Sequence, residues 1–366
     1  MRRIVVRLQG ATTGASLCDA PVVATPKTDV KTSRLVCHLT EIALTREVEG
    51  SASIELPARS VKQSYRHYFL FWMTDREPLI INCLSEVYLL SSNLRVGVFV
   101  DAENVRYNGG YQMRYDVLRR FAAREGGHLQ RLNTYLAFDS ERAREDPDYA
   151  KKSRIYQQMV RDFGWKITVK QVRRYTDENG NVTTKANADL DMAVDAMLQV
   201  SNLDQVLLVT GDGDFLQVVN ALQNTGCRVE LIGFKNVSRQ LQQTVDTFYP
   251  GFLIPDLLPV TYEPRNEWGE PGSCVRGICT KWFFDKGYGF MRIVNRISPN
   301  LWVTDPREPD SPYTSIFCHA NEVADEVTEE MLMSRETIFE FYLSESEQKD
   351  NGLVANNVRL AFSVNR

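Results

Sequence analysis

An α/β fold is predicted for the larger part of this 366-residue chain: an open, mostly parallel sheet with helices on both faces, followed by a five-stranded β-barrel. Three observations predict it. From Leu94 onward, short apolar runs alternate with stretches of helical periodicity, the pattern that yields a parallel sheet covered by helices. Two of these apolar runs end in acidic turns, as expected of strands whose carboxyl ends open a binding crevice. Beyond a proline- and glycine-rich stretch at 255–273, the texture changes to short β-rich runs.

The elements follow in order. Residues 1–93 are read as an N-terminal extension with no assigned function, because apolar stretches such as 4–6 and 79–81 lie among turn formers without sustained periodicity; Met73 offers one candidate start inside it. The α/β domain is assigned to 94–256. Strands are expected at 96–100, 129–138, 165–172, 205–210 and 228–234, with a final edge at 252–254. Helices are expected at 113–125, at 150–163 with Ile155, Met159 and Phe163 recurring every four residues, and at 189–200 through Leu190, Ala193, Val194 and Met197. Two more should follow, one running from the acidic turn 211–214 to near Gly226 and one over 238–247; Glu178-Asn179-Gly180-Asn181 offers a tight turn. Residues 257–273 are read as a linker, and 274–366 as the barrel, with strands near 275–284, 288–294, 315–318, 336–343 and 353–361.

Composition narrows the function classes. Hydrophobic residues make up 43% and charged residues 25%, values of an ordinary globular protein. The formal net charge of -4 argues against a uniformly basic nucleic-acid coat while allowing a local basic groove. Seven cysteines without a C-x-x-C pair argue against a disulfide framework or zinc knuckle and suit a reducing cytoplasm. The apolar run 68–73 is interrupted by Asp75, Arg76 and Glu77, so no membrane segment is expected, and residues 1–20 lack a sustained apolar core before a small-residue cleavage site, so no secretory signal is expected.

The chemistry is carried by acids at strand ends: Val98-Phe99-Val100-Asp101-Ala102-Glu103-Asn104, then Leu207-Leu208-Val209-Thr210-Gly211-Asp212-Gly213-Asp214. Asp189 opens a helix. Each acid alone reads as a helix cap; together they read as clustered carboxylates, whose repulsion a hard divalent cation would offset. Oxygen-only ligands favour Mg2+ or Mn2+, and such an ion supports phosphodiester hydrolysis. On one helix Asp189 and Asp195 stand about 120° out of phase, whereas Asp191 and Asp195 lie one turn apart on one face, so the three cannot all share one ion. Asp189 is preferred for its place at the helix start, Asp195 comes second, and Asp191 is expected to face solvent.

These segments, with Lys185-Ala186-Asn187-Ala188-Asp189 and Ala193-Val194-Asp195-Ala196, resemble the three motifs of NYN domains, the LabA-type members of the PIN-like nuclease superfamily, over roughly 94–256. The resemblance implies Mg2+- or Mn2+-dependent cleavage of RNA. On matching positions, Asp101, Asp189, Asp212 and Asp214 would hold metal, Asn104 and Thr210 would orient that shell, and Lys185 would contact phosphate. The sequence departs from many members at Asn187, where they carry glycine.

In the barrel, Gly277 to Met291 reads G-I-C-T-K-W-F-F-D-K-G-Y-G-F-M, and Ser315-Ile316-Phe317-Cys318-His319 adds a second aromatic strand. Aromatics alternating with lysines suit bases and phosphates, although a ring in a strand more often packs a core. Both segments resemble the paired RNA-binding motifs of cold-shock domains, which are OB-fold barrels. That resemblance implies a binding face of Lys281, Trp282, Tyr288, Phe290, Phe317 and His319 for single-stranded RNA, to which the aromatic–lysine alternation adds Phe283 and Lys286. A proline-rich insertion at 295–314 and an acidic stretch at 325–330 depart from the compact pattern. The expectation is a cytoplasmic ribonuclease whose barrel recruits its substrate; a noncatalytic RNA-binding regulator stands as the alternative. A phosphatase with an aspartate nucleophile is disfavoured because Ala102-Glu103 sets the second acid out of register. The oligomeric state is left open, a homodimer included.

Overall fold

The computed structural model describes residues 94–176, 182–261, 266–346 and 352–362, the side chains of 173–176 and 182–185 excepted, and the backbone of four short strands nearer the N-terminus. The chain divides into two compact units, Met1–Ser92 and Asn93–Arg366. In the first, β1 (Arg3–Arg7) pairs antiparallel with β2 (Ser53–Pro57), and β3 (Leu70–Thr74) with β4 (Glu77–Ile81). The apolar stretches at 4–6 and 79–81 lie in two of these strands.

The second unit begins with β5 (Arg95–Asp101), whose residues from Val96 onward are all buried, as expected of a strand covered on both faces. The chain continues through α1 (Ala102–Tyr107), α2 (Tyr115–Ala122), β6 (His128–Phe138), α3 (Ser140–Glu145), α4 (Pro147–Asp162) and β7 (Lys166–Gln171). A small hairpin, β8 (Arg173–Thr176) with β9 (Val182–Lys185), precedes α5 (Ala188–Gln199) and β10 (Gln205–Val209). Then come α6 (Leu216–Asn224), β11 (Arg228–Gly233), α7 (Arg239–Thr244) and β12 (Thr247–Pro250). The sheet order is β12-β11-β10-β5-β6-β7, and every pairing is parallel.

From β5 the chain winds to β6 and β7 on one side, then returns to lay β10, β11 and β12 on the other. The order therefore reverses between β5 and β10, and at such a point the connecting loops diverge and leave a crevice at the carboxyl ends. The sheet separates two apolar cores. One joins Val96, Val98 and Val100 to Tyr115, Leu118 and Phe121 of α2. The other joins Phe99 and Leu208 to Met192 and Ala196 of α5 and Val219 and Leu222 of α6. Strand alternation thus puts Asp101 on the Phe99 side, beneath α5.

Three readings of the sequence are corrected. Ile155, Met159 and Phe163 do not form a core stripe: they are 60%, 38% and 37% exposed, and α4 packs through Val160 and Tyr156 instead. Its strand, β7, is the sheet edge, where there is less surface to cover. Likewise Leu190, Val194 and Met197 of α5 face outward, while Ala188, Met192 and Ala196 are buried, the alanines letting the helix approach the sheet closely. The final edge strand is Thr247–Pro250 rather than 252–254. Phe252 and Ile254 are apolar because they are buried beside the barrel: Phe252 stacks on Phe362 with ring centroids 5.3 Å apart.

The barrel is closed in the order β13-β14-β15-β17-β16, from β13 (Cys274–Phe283), β14 (Tyr288–Val294), β15 (Tyr313–His319), β16 (Ile338–Glu345) and β17 (Leu353–Phe362). All neighbours are antiparallel except β15 and β17. Its core gathers Val275, Met291, Ile316, Phe339 and Phe341. Ile278, Leu301 and Ile338 join the sheet's own apolar cluster with Leu257 and Leu258, so the start of the proline-rich stretch is packed rather than a free tether. Arg276 fixes it further: its guanidinium pairs with Glu340 at 2.9 Å and donates to the Pro259 carbonyl, while Glu340 accepts the Thr261 N–H at 2.9 Å. Among the described residues no helix is long and apolar enough to cross a membrane.

Candidate functional site

Asp101 ends β5 and caps α1, its Oδ1 accepting the Asn104 N–H at 3.0 Å. Asn104 in turn reaches the neighbouring loop, where its Oδ1 accepts the Gly211 N–H at 2.8 Å. The second acidic turn is shaped the same way: Asp212 Oδ1 accepts the Asp214 N–H at 3.0 Å, and the Thr210 Oγ accepts the Asp212 N–H at 3.2 Å. Thr210 is buried. The 234–238 loop closes against this turn, Ser238 donating its N–H to the Gly211 carbonyl at 3.0 Å. A β-carbon on Gly211 would stand 3.3 Å from the Val237 backbone, and one on Gly213 3.1 Å from Ser238 Oγ, so glycine lets both loops meet.

Neighbouring acids act on Asp101 through their charge. Asp101 is 8% exposed, and its carboxyl is pushed up to about 6, first by burial and then by the negative charges of Asp189, Asp212 and Glu103. The Asn104 N–H opposes this shift without cancelling it. Asp189 is exposed in the first turn of α5, and Asp214 is exposed on the 3-10 turn after Asp212. Glu103 is held by Arg106 at 2.7 Å, but among the described residues none of Asp101, Asp189, Asp212 and Asp214 pairs with an arginine or lysine. Asp191 does: it is half-buried and held by Lys170 Nζ at 2.8 and 2.9 Å. Asp195 accepts the hydroxyl of buried Tyr135 at 2.7 Å, and Tyr135 stands opposite Asp101 in the β5–β6 register. The side chain of Lys185 lies outside the described residues.

The donor set of Asp101, Asp189, Asp212 and Asp214 is all oxygen, with excess negative charge and, among the described residues, no lysine or arginine paired to it, which fits a hard divalent ion. Among the described residues no three acidic, histidine or cysteine side chains are gathered into a ready-made metal cage. Asp101, Asp189 and Asp212 are the groups that could hold an ion here.

On the barrel, alternation along β14 buries Gly289, Met291 and Ile293 and turns Tyr288, Phe290 and Arg292 outward. β15 buries Ile316 and Cys318 and exposes Phe317 and His319. Tyr288 stands 5.0 Å from Phe283, 6.1 Å from Phe290 and 5.5 Å from Phe317, ring centroid to ring centroid. Lys281 Nζ lies 4.5 Å and Lys286 Nζ 5.8 Å from the Phe283 ring. His319 Nδ1 accepts the Asn321 N–H at 3.2 Å, which leaves the other ring nitrogen outside that cap. Trp282 is placed differently from its neighbours. It packs against the barrel core, over Gly289, where a β-carbon would collide with its indole.

Residues 95–257 match the family model of the NYN domain. Over 161 residues the chain is 25% identical to the low amplitude and bright protein LabA of Synechococcus elongatus, a match that covers 42% of this chain and 82% of that relative. A solved protein of unknown function from Vibrio parahaemolyticus is 23% identical, with a TM-score of 0.34, over 43% of this chain and 91% of its own.

Proposed function

We propose that this chain, whose residues 95–257 form an NYN domain followed by a closed five-stranded barrel, is a cytoplasmic, divalent-metal-dependent ribonuclease whose barrel recruits single-stranded RNA. The observation that carries the reading is the buried Asp101 carboxyl, held at about 6 with Asp189 and Asp212 acting on it. Charge of that kind at the reversal of a parallel sheet is suited to a cation and, through it, to a phosphodiester.

Asp101, Asp189 and Asp212 would hold the ion, with Asp214 beside them. Asn104 fixes the distance between the two acidic turns, and Thr210 steadies the second from beneath. A bound Mg2+ or Mn2+ would polarise a phosphodiester oxygen and acidify water at the scissile bond. On the barrel, Phe283, Tyr288, Phe290 and Phe317 offer ring faces to bases, while Lys281, Lys286 and His319 offer positive or hydrogen-bonding groups to the backbone; Trp282 underpins this face from the core side. Lys185 is assigned to phosphate by its place in the motif. The four free, buried cysteines among the described residues, Cys227, Cys274, Cys279 and Cys318, suit a reducing compartment.

One observation favours a second reading. The want of a gathered metal cage among the described residues suits a noncatalytic RNA-binding regulator that keeps the fold and uses the barrel. Incubating purified protein with Mn2+ and a panel of labelled RNAs separates the two. The nuclease reading expects cleavage that EDTA and Asp101→Asn abolish. RNA that is bound but left intact by wild type at saturating Mn2+ would overturn it.

A further inference from the structure

The loop that follows the first acidic turn carries the two most exposed tyrosines that the structure describes, and the expected RNA face on the barrel does not account for them. Tyr107 closes α1 at 73% exposure, and Tyr111 lies four residues on at 67%. A tyrosine so exposed offers an aromatic face on which a base can stack. The Arg106 guanidinium lies 4.1 Å from the Tyr107 ring centroid, its charge shared with Glu103 at 2.7 Å, so a planar cation and an aromatic ring stand together.

The segment is held in place while its side chains are open. Asn108 donates from Nδ2 to the Asn104 carbonyl at 2.9 Å, and Asn104 is the residue that ties the two acidic turns. On the other side the Lys235 N–H donates to the Asn108 carbonyl at 2.8 Å, and Asn236 Nδ2 donates to Asn108 Oδ1 at 3.0 Å. Gly109, with φ of +91°, lets the loop turn against Phe252 and Lys235, where a β-carbon would be strained and crowded. Lys235 is exposed, and its Nζ lies 5.3 Å from the ring of Phe362, the last residue of β17. A continuous line of contacts therefore runs from Asp101 through Asn104, Asn108 and Lys235 to the edge of the barrel.

We propose that Tyr107 and Tyr111, with Arg106 and Lys235, form a nucleotide subsite on the sheet domain that stacks bases of single-stranded RNA immediately beside the acidic pocket. Exposed rings take the bases and the two cations take the phosphates, a combination that tolerates any sequence. From Asp101 to Tyr107 is six residues of helix, roughly 9 Å of rise, or about three stacked nucleotides at ~3.4 Å each. The subsite thus holds the strand a few nucleotides from the scissile phosphate. It rests on the ribonuclease reading for its purpose, but its binding of RNA stands apart from cleavage.

The test uses the full chain carrying Asp101→Asn, so that RNA stays intact, and a fluorescein-labelled 12-nucleotide oligouridylate read by anisotropy. Adding Tyr107→Ala and Tyr111→Ala together is expected to weaken binding 5- to 100-fold, and Tyr107→Trp with Tyr111→Trp to restore it. Both tyrosines are exposed, and circular dichroism checks that the variants remain folded. In the otherwise wild-type chain with Mn2+, the alanine pair is expected to raise KM and to shift the positions of cuts along the oligonucleotide. Unaltered affinity in the alanine pair overturns the subsite even if the enzyme cuts RNA. Weakened affinity without any cleavage by wild type keeps the subsite and overturns the nuclease reading instead.

Discussion

Asn104 and Gly211, 107 positions apart in the chain, are joined by one hydrogen bond, the asparagine Oδ1 accepting the glycine N–H at 2.8 Å. Asn104 also gives its own N–H to Asp101. One side chain and its backbone therefore hold both acidic strand ends at a fixed separation. A cation site assembled from distant segments needs such a tie, because its ligands would otherwise drift apart under their own repulsion.

Asn104→Ala is expected to leave the Gly211 N–H without its partner, at a cost of about 1–3 kcal/mol. Chemical denaturation reads that loss. Cleavage should fall further than stability explains, because the two acidic turns lose their register; an unaltered rate at saturating Mn2+ would show that the tie is only structural.

Asp101→Asn should abolish cleavage and yet stabilise the metal-free protein. A carboxyl that burial and neighbouring acids push from its ordinary 3.8 up to about 6 favours its protonated form in the fold. The native state is therefore penalised as pH rises from about 4 to about 6, and the full penalty, roughly 2–3 kcal/mol, persists above. Asparagine keeps an acceptor for the Asn104 N–H without the charge. Thermal melts should show the variant more stable than wild type at pH 8 and equal to it below pH 4.

The same shift sets a pH dependence for metal. Below about 6 an ion must displace the Asp101 proton, so Mn2+ affinity should climb about tenfold per pH unit up to that point and level off beyond it. Calorimetry at pH 5, 6 and 7 in buffers of different ionisation enthalpy checks both the slope and the released proton. A flat profile would detach Asp101 from the ion.

On the barrel, Phe290→Ala and Phe317→Ala should each weaken RNA binding by about 1–3 kcal/mol, or roughly 5- to 150-fold. Both rings are on the outward face, so stability should hardly change. Trp282→Ala should instead lower stability, since its ring covers the core over Gly289. Separate binding and unfolding measurements distinguish the two patterns.

The sequence revealed the chemistry wherever it was contiguous. Asp101 announces itself because it ends an apolar strand and Asp212 because it stands three positions past another, and the lysine–aromatic alternation of 281–290 lies on two neighbouring strands. What it hid lies between distant segments. The Tyr135–Asp195 bond spans 60 positions and the Lys170–Asp191 pair 21, so neither leaves a local pattern. The latter gives Asp191 a lysine partner, whereas the sequence placed this residue simply in solvent. Helical periodicity misled at Ile155, Met159 and Phe163 because spacing tells which residues share a face, not whether a sheet lies under it. The exposed Tyr107 and Tyr111 have no sequence signature; only their exposure in the fold separates them from core tyrosines such as Tyr115.

Asp101, Asp189 and Asp212 are expected to hold one divalent ion between them. Crystals soaked in MnCl2 and measured near the manganese absorption edge test it most directly. An anomalous peak is expected within coordinating distance of Asp101 and Asp212, with Asp189 turned toward it, and it should be lost in Asp101→Asn. A well-ordered pocket without anomalous density at millimolar Mn2+, with the three carboxylates turned away from one another, would contradict it.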